Sequence, residues 1–145
     1  MKSSRPNLVI RPRRTIELLV LMAGILFLSG IGWLRLQQTL FYGEYLNRFG
    51  GLPPAVYLGL SGLLLGSAAL VSAVGLWARM AWSPWLTRVV VVGAAAGYWL
   101  ERLLFTRSAA GWANLLFSIL LTLLVVGYAL LVLESPRQKD YFASS

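Results

Sequence analysis

The chain has no cysteine and no histidine, and only 5 of its 145 residues are acidic. Without cysteine there is no disulfide framework and no thiolate nucleophile, and cysteine usage says nothing about redox compartment. Without either residue, the usual ligands of haem, zinc, copper and iron–sulfur centres are gone, together with the commonest general base. No cofactor and no metal site is expected. Charge is scarce altogether, at 12% of residues, about half the ~25% of an ordinary soluble domain.

What is present is apolar. Hydrophobic residues make up 58% of the chain, and the mean hydropathy is +0.71. They fall into four blocks, 16–34, 56–77, 85–105 and 112–133. A helix of about 18 or more such residues crosses the ~30 Å hydrocarbon core of a bilayer. A soluble fold would have to bury four helices that are apolar on nearly every face. The expectation is therefore an all-α membrane protein, a single four-transmembrane-helix bundle over 16–133. A basic tail (1–15) precedes it and a short tail (134–145) follows.

The net charge of +8 does not point to nucleic acid, because the cations flank the apolar blocks and form no basic face with interleaved aromatics. Lys2, Arg5, Arg11, Arg13 and Arg14 stand in the first tail, two cations accompany each of the three connections, and two lie in the last tail. Cytoplasmic termini put nine inside and four outside, the arrangement the positive-inside rule favours. The first tail then also suits anionic lipid headgroups. The first block is followed by no small-residue cleavage site, so it reads as a retained span rather than a secretory signal. Trp33, Trp77, Trp82, Trp85, Trp99 and Trp112 fall near block ends, the positions of interfacial anchors.

The connections carry their own signals. In "ARMAWSPW", Ser83 suits a helix cap and Pro84 the first helical position, and the brevity of the loop makes blocks two and three an antiparallel hairpin. The longer first connection gathers Tyr42, Tyr45, Leu46 and Phe49 on one side, with Glu44 four residues before Arg48. It reads as a short interfacial helix over 36–49 in the first outer loop, or as an extension of span one.

Small residues mark where helices approach in lipid. Gly59, Gly62, Gly66, Ala69 and Ala73 share one narrow stripe of span two, while Ser61, Ala68, Ser72 and Gly75 form a second on nearly the opposite side. That makes span two central, or gives it a homodimer seam. Gly93 and Gly97 form a small pair on span three. Asn114, Ser118 and Thr122 line one face of span four, either as helix-to-helix hydrogen bonding or as a polar track for a solute.

Within "YWLERLLFTR" stands Glu101, sixteen residues past Trp85 and thus roughly 24 Å along the helix. That places it near the outer boundary, on the face of Gly93 and Gly97. An ionisable group in a span calls for a partner. Arg35, ending span one at the same level, is the first candidate and Arg48 the second. The pair reads as a clasp between spans; a solvated carboxylate or a proton or cation site are the alternatives. Arg102 turns aside and is expected to snorkel towards headgroups with Arg107. Glu17 opens span one, where it suits the helix dipole.

"GLWARMAWSPWLTR" (75–88), "YWLERLLF" (98–105), "WANLLF" (112–117) and the ending "PRQKDYF" resemble small four-span bacterial inner-membrane proteins with no assigned activity. The resemblance runs from about residue 15 onward. It implies a multi-span protein of the bacterial inner membrane and transfers no functional residue. With no convergent carboxylates and no histidine, the expectation is a non-enzymatic accessory or scaffold subunit, with a protein partner or as a homo-oligomer. A small transporter or channel built by oligomerisation, or a lipid-binding protein, is the alternative.

Overall fold

The computed structural model describes residues 16–48, 54–105 and 114–135, and their regular structure is helical throughout. Four helices follow one another there: α1 (Ile16–Arg48), α2 (Ala55–Trp77), α3 (Ser83–Phe105) and α4 (Leu115–Glu134). Three are long and apolar enough to cross a membrane, namely α1 over Ile16–Tyr45, α2 and α4. The helix α3 matches α2 in length at 23 residues but is not among them. Arg88, Glu101 and Arg102 dilute its apolar run. Residues 1–15, 49–53, 106–113 (with Arg107 and Trp112) and 136–145 lie outside the described residues.

Helical structure continues from Leu34 to Arg48, and two helical pieces join across a kink within it. Arg35, Gln37 and Gln38 end the apolar block but do nothing to break a backbone, since helix interiors yield to glycine or proline rather than to charge. The one departure from helical geometry is at Tyr42 (φ −124°, ψ 16°), beside Gly43. The segment is an extension of span one with a kink near its end.

The hydrophobic core sits at one end of the bundle. Leu18, Leu21, Met22 and Ile25 of α1, spaced at three and four, meet Ala73 and Leu76 of α2, Val90 and Val91 of α3, and Val132 and Leu133 of α4. This is where α1 and α3 begin and α2 and α4 finish. Towards the opposite end α1 and α2 stay packed, while α3 and α4 have no buried residues there. All the buried residues of α3 lie in its first half, and those of α4 in its last two turns.

The α2–α3 hairpin is tied by backbone bonds. Met80 N–H donates to the Gly75 carbonyl (2.9 Å) and Arg79 N–H to that of Leu76 (3.4 Å), with Arg79 at φ 60°. This double bond pattern satisfies the last carbonyls of α2, with Arg79 in the left-handed position where glycine is usual. Ser83 does not cap α3 in the expected sense. Its buried hydroxyl donates back to the Met80 carbonyl (2.8 Å), and Thr87 donates to the Ser83 carbonyl (2.8 Å).

Candidate functional site

The tightest helix pair is α1 with α2, and glycine makes it so. A methyl group added at Gly32 would lie 2.4 Å from the backbone nitrogen of Gly66 and 2.8 Å from the Gly62 carbonyl oxygen. Added at Gly62, it would lie 2.7 Å from the Gly32 oxygen. The two backbones touch here. Gly59 packs against Thr39 and Gly66 against Trp33, and Ala69 and Ala73 carry the line into the core. Ser29 Oγ donates to the Gly66 carbonyl across the seam at 2.9 Å, fully enclosed. Gly32 and Ser29 escaped the reading of the sequence, although their spacing of three small residues on span one is the same signal that marked span two.

The second small stripe of α2 splits in two. Gly75 packs on Ser83 and Trp82 of the hairpin, and Ser72 is buried, donating to the Ala68 carbonyl. Ser61 and Ala68 instead line open space. The small pair of α3 does not pack against a helix at all: a methyl added at Gly93 or Gly97 meets nothing within 4 Å. At this level α3 stands away from α1 and α2; it meets them again one and two turns further on, through Glu101 with Arg35 and Phe105 with Tyr57.

That separation opens a groove of about 460 Å³ between α1, α2 and α3, with Gly93, Ala94 and Gly97 along its floor. At its end Arg35 and Glu101 meet in a bidentate pair, Nη1 to Oε1 at 2.5 Å and Nη2 to Oε2 at 3.0 Å. The Arg35 side chain is 29% exposed and that of Glu101 17%. Arg48, the other candidate partner, lies beyond the Tyr42 kink. The Tyr57 phenol also interacts with the Glu101 carboxylate, and Thr39 Oγ1 donates to the Arg35 carbonyl at 3.0 Å.

The pair sits deeper than the end of the apolar block implies. Arg35 packs beside Gly62, seven residues inside α2 and so roughly 10 Å from its start. Arg35 lies within α1, whose stretch long and apolar enough to cross a membrane continues to Tyr45. A charge at that depth is tolerated when an opposite charge and hydrogen bonds meet it.

Arg102 also departs from its expected course. Instead of reaching away from the bundle it turns towards α4, where Nη1 donates to Ser118 Oγ and to the Tyr98 hydroxyl, each at 2.7 Å. Its guanidinium also lies 5.7 Å from the Trp99 ring centre, a cation–π distance. Ser118 donates in turn to the Asn114 carbonyl (3.0 Å) and Thr122 to that of Ser118 (2.7 Å). The hydroxyls of this face are thus engaged with their own helix and with α3. Ser118→Ala, which takes away the acceptor of Arg102, is expected to lower stability by about 0.5–1 kcal/mol, read as a small drop in melting temperature in detergent. A variant unchanged within error would show that the α3–α4 contact does not depend on it.

A second groove of about 370 Å³ runs between α1, α3 and α4, lined almost wholly by apolar side chains such as Leu28, Val91 and Leu121. Among the described residues no three His, Cys, Asp or Glu side chains gather. The chain is thus an all-helical protein with three helices long and apolar enough to cross a membrane. No family model, curated protein or solved structure matches it.

Proposed function

We propose that the chain is a four-span integral protein of the bacterial inner membrane, with both termini in the cytoplasm. It acts there as a non-enzymatic accessory or scaffold subunit through helix and lipid contacts. The observation that carries the reading is that each charge on α3 has a partner on another helix. Arg88 lies 4.0 Å from Glu134, Glu101 is held by Arg35, and Arg102 reaches Ser118. Partnered charges lower the cost of placing a helix in hydrocarbon, and 23 residues extend roughly 34 Å, enough to cross. The excess of cations at the end where α1 begins and α4 finishes supports the orientation.

A pore lined by Asn114, Ser118 and Thr122 is less well supported, because the hydroxyls of that face are engaged by α4 itself and by Arg102. The core is closed at one end of the bundle, and large apolar side chains are exposed along all four helices, an arrangement suited to contact with lipid or other helices.

The chain lacks cysteine, so single cysteines report topology without background. With a membrane-impermeant maleimide, Ala110→Cys is expected to label in intact cells, and Met80→Cys only after permeabilisation. Labelling of both from one side would mean that α3 does not cross, and the reverse pattern would invert the orientation. Native mass spectrometry from nanodiscs then separates the roles. A stoichiometric second protein fits an accessory subunit; a self-assembled ring alone would count against it.

A further inference from the structure

The groove between α1, α2 and α3 has two chemically different ends. Its polar lining, from Arg35, Glu101, Tyr57, Tyr98 and Ser61, is confined to the end where α2 begins and α3 finishes. The rest is apolar, from Leu64 and Ile31 down to Leu86. Glu101 stands fifteen positions after Leu86 on α3, roughly 22 Å of helix at 1.5 Å per residue. One leaflet contributes about 15 Å of hydrocarbon, so the trunk accepts an extended acyl chain. The glycines at 93 and 97 keep its floor clear of side chains.

A polar head above an apolar trunk is the pattern of an amphiphile. A partner helix would instead require small or polar residues down the whole length for close approach. The ion pair supplies the charge complement. The bidentate contact uses two of the five N–H donors of Arg35, and both side chains keep exposed surface. The guanidinium edge fits a phosphate, and the carboxylate beside it accepts an ammonium. We propose that this groove holds one phospholipid with a zwitterionic, amine-bearing headgroup. The phosphate lies on Arg35, the ammonium on Glu101, and one acyl chain runs over the floor at 93–97 towards Leu86. This deepens the membrane reading above and rests on it for the insertion of the chain.

The test uses full-length protein in nanodiscs of equal phosphatidylethanolamine and phosphatidylglycerol, released into mild detergent for native mass spectrometry. Wild type is expected to retain one phosphatidylethanolamine. Gly93→Leu fills the groove where a side chain meets nothing, and should cut that occupancy about tenfold or more with little change in melting temperature. Gly127→Leu, at an equally open glycine outside the groove, should retain the lipid. Glu101→Gln removes the ammonium partner and should shift the retained lipid towards phosphatidylglycerol. In wild type, a phospholipid with a photoreactive acyl chain should crosslink to α3 between 86 and 97. No retained lipid in wild type, equal occupancy in Gly93→Leu, equal loss in Gly127→Leu, or crosslinks confined elsewhere would each overturn the proposal. Extraction of the chain by alkaline carbonate would instead overturn the membrane reading itself, whatever the lipid count.

Discussion

Gly32→Leu is expected to force α1 and α2 apart and to cost about 3 kcal/mol of stability, the upper end of ordinary overpacking. Backbone decides the size of the effect. A first side-chain carbon at position 32 already lies 2.4 Å from the nitrogen of Gly66, and a helix backbone cannot rotate out of the way as a side chain can. The only relief is separation of the helices, which also pulls Ser29 from the Gly66 carbonyl and loosens the Leu36 backbone and the Arg35 side chain against Gly62. Gly93→Ala provides the contrast. It too places a methyl on a helical glycine, but in open space, so it should be neutral or gain up to about 1 kcal/mol from helix propensity. Thermal unfolding in detergent should separate the two by many degrees. Equal melting of Gly32→Leu and wild type would mean that the backbones do not touch there.

The contrast between Gly32 and Gly93 also marks how far the sequence is legible. Period and small-residue spacing placed the stripe on span two, since five small residues on one narrow face are hard to produce without a packing need. Glycine on span three carried the same spacing and a different purpose. Whether a glycine admits a helix or leaves a floor bare depends on how near the neighbouring helices stand, and that is set by contacts elsewhere, such as the core around Leu18, Ile25 and Leu76. The length of α1 was obscured for a related reason. Arg35, Gln37 and Gln38 look like the end of a span when each residue is weighed alone, whereas the helix continues because such residues do not break a backbone, and Glu101, 66 positions away in sequence, meets the charge. Arg102 was misdirected likewise: nothing local reveals that Ser118 and Tyr98 lie within reach. Helix-forming tendency and apolar length are local properties and could be read; depth, helix separation and side-chain direction depend on distant partners.

Removing one member of the Arg35 and Glu101 pair should cost more than removing both. Glu101→Gln leaves the guanidinium inside an apolar helix with no counter-charge, and Arg35→Met leaves the carboxylate in the same position. Loss of one partner from a fully buried pair costs about 3–5 kcal/mol, while exposed pairs contribute under about 1 kcal/mol. With 29% and 17% of the two side chains exposed, each single substitution is expected to cost about 2 kcal/mol. Arg35→Met with Glu101→Leu removes both desolvation penalties and should recover most of that loss, because apolar side chains of similar volume replace such pairs at little cost. The resulting coupling, about 3 kcal/mol in a double-mutant cycle closed with the Glu101→Leu single variant, is what distinguishes a clasp from two independent polar residues. Additive losses would show that the two side chains contribute separately and that α3 is held to α1 by something else. Recovery in the double variant has a second consequence. If the pair were needed only for folding, the apolar replacement would keep every property of the protein; a stable double variant that no longer retains an amine-bearing lipid would assign the charges to recognition instead.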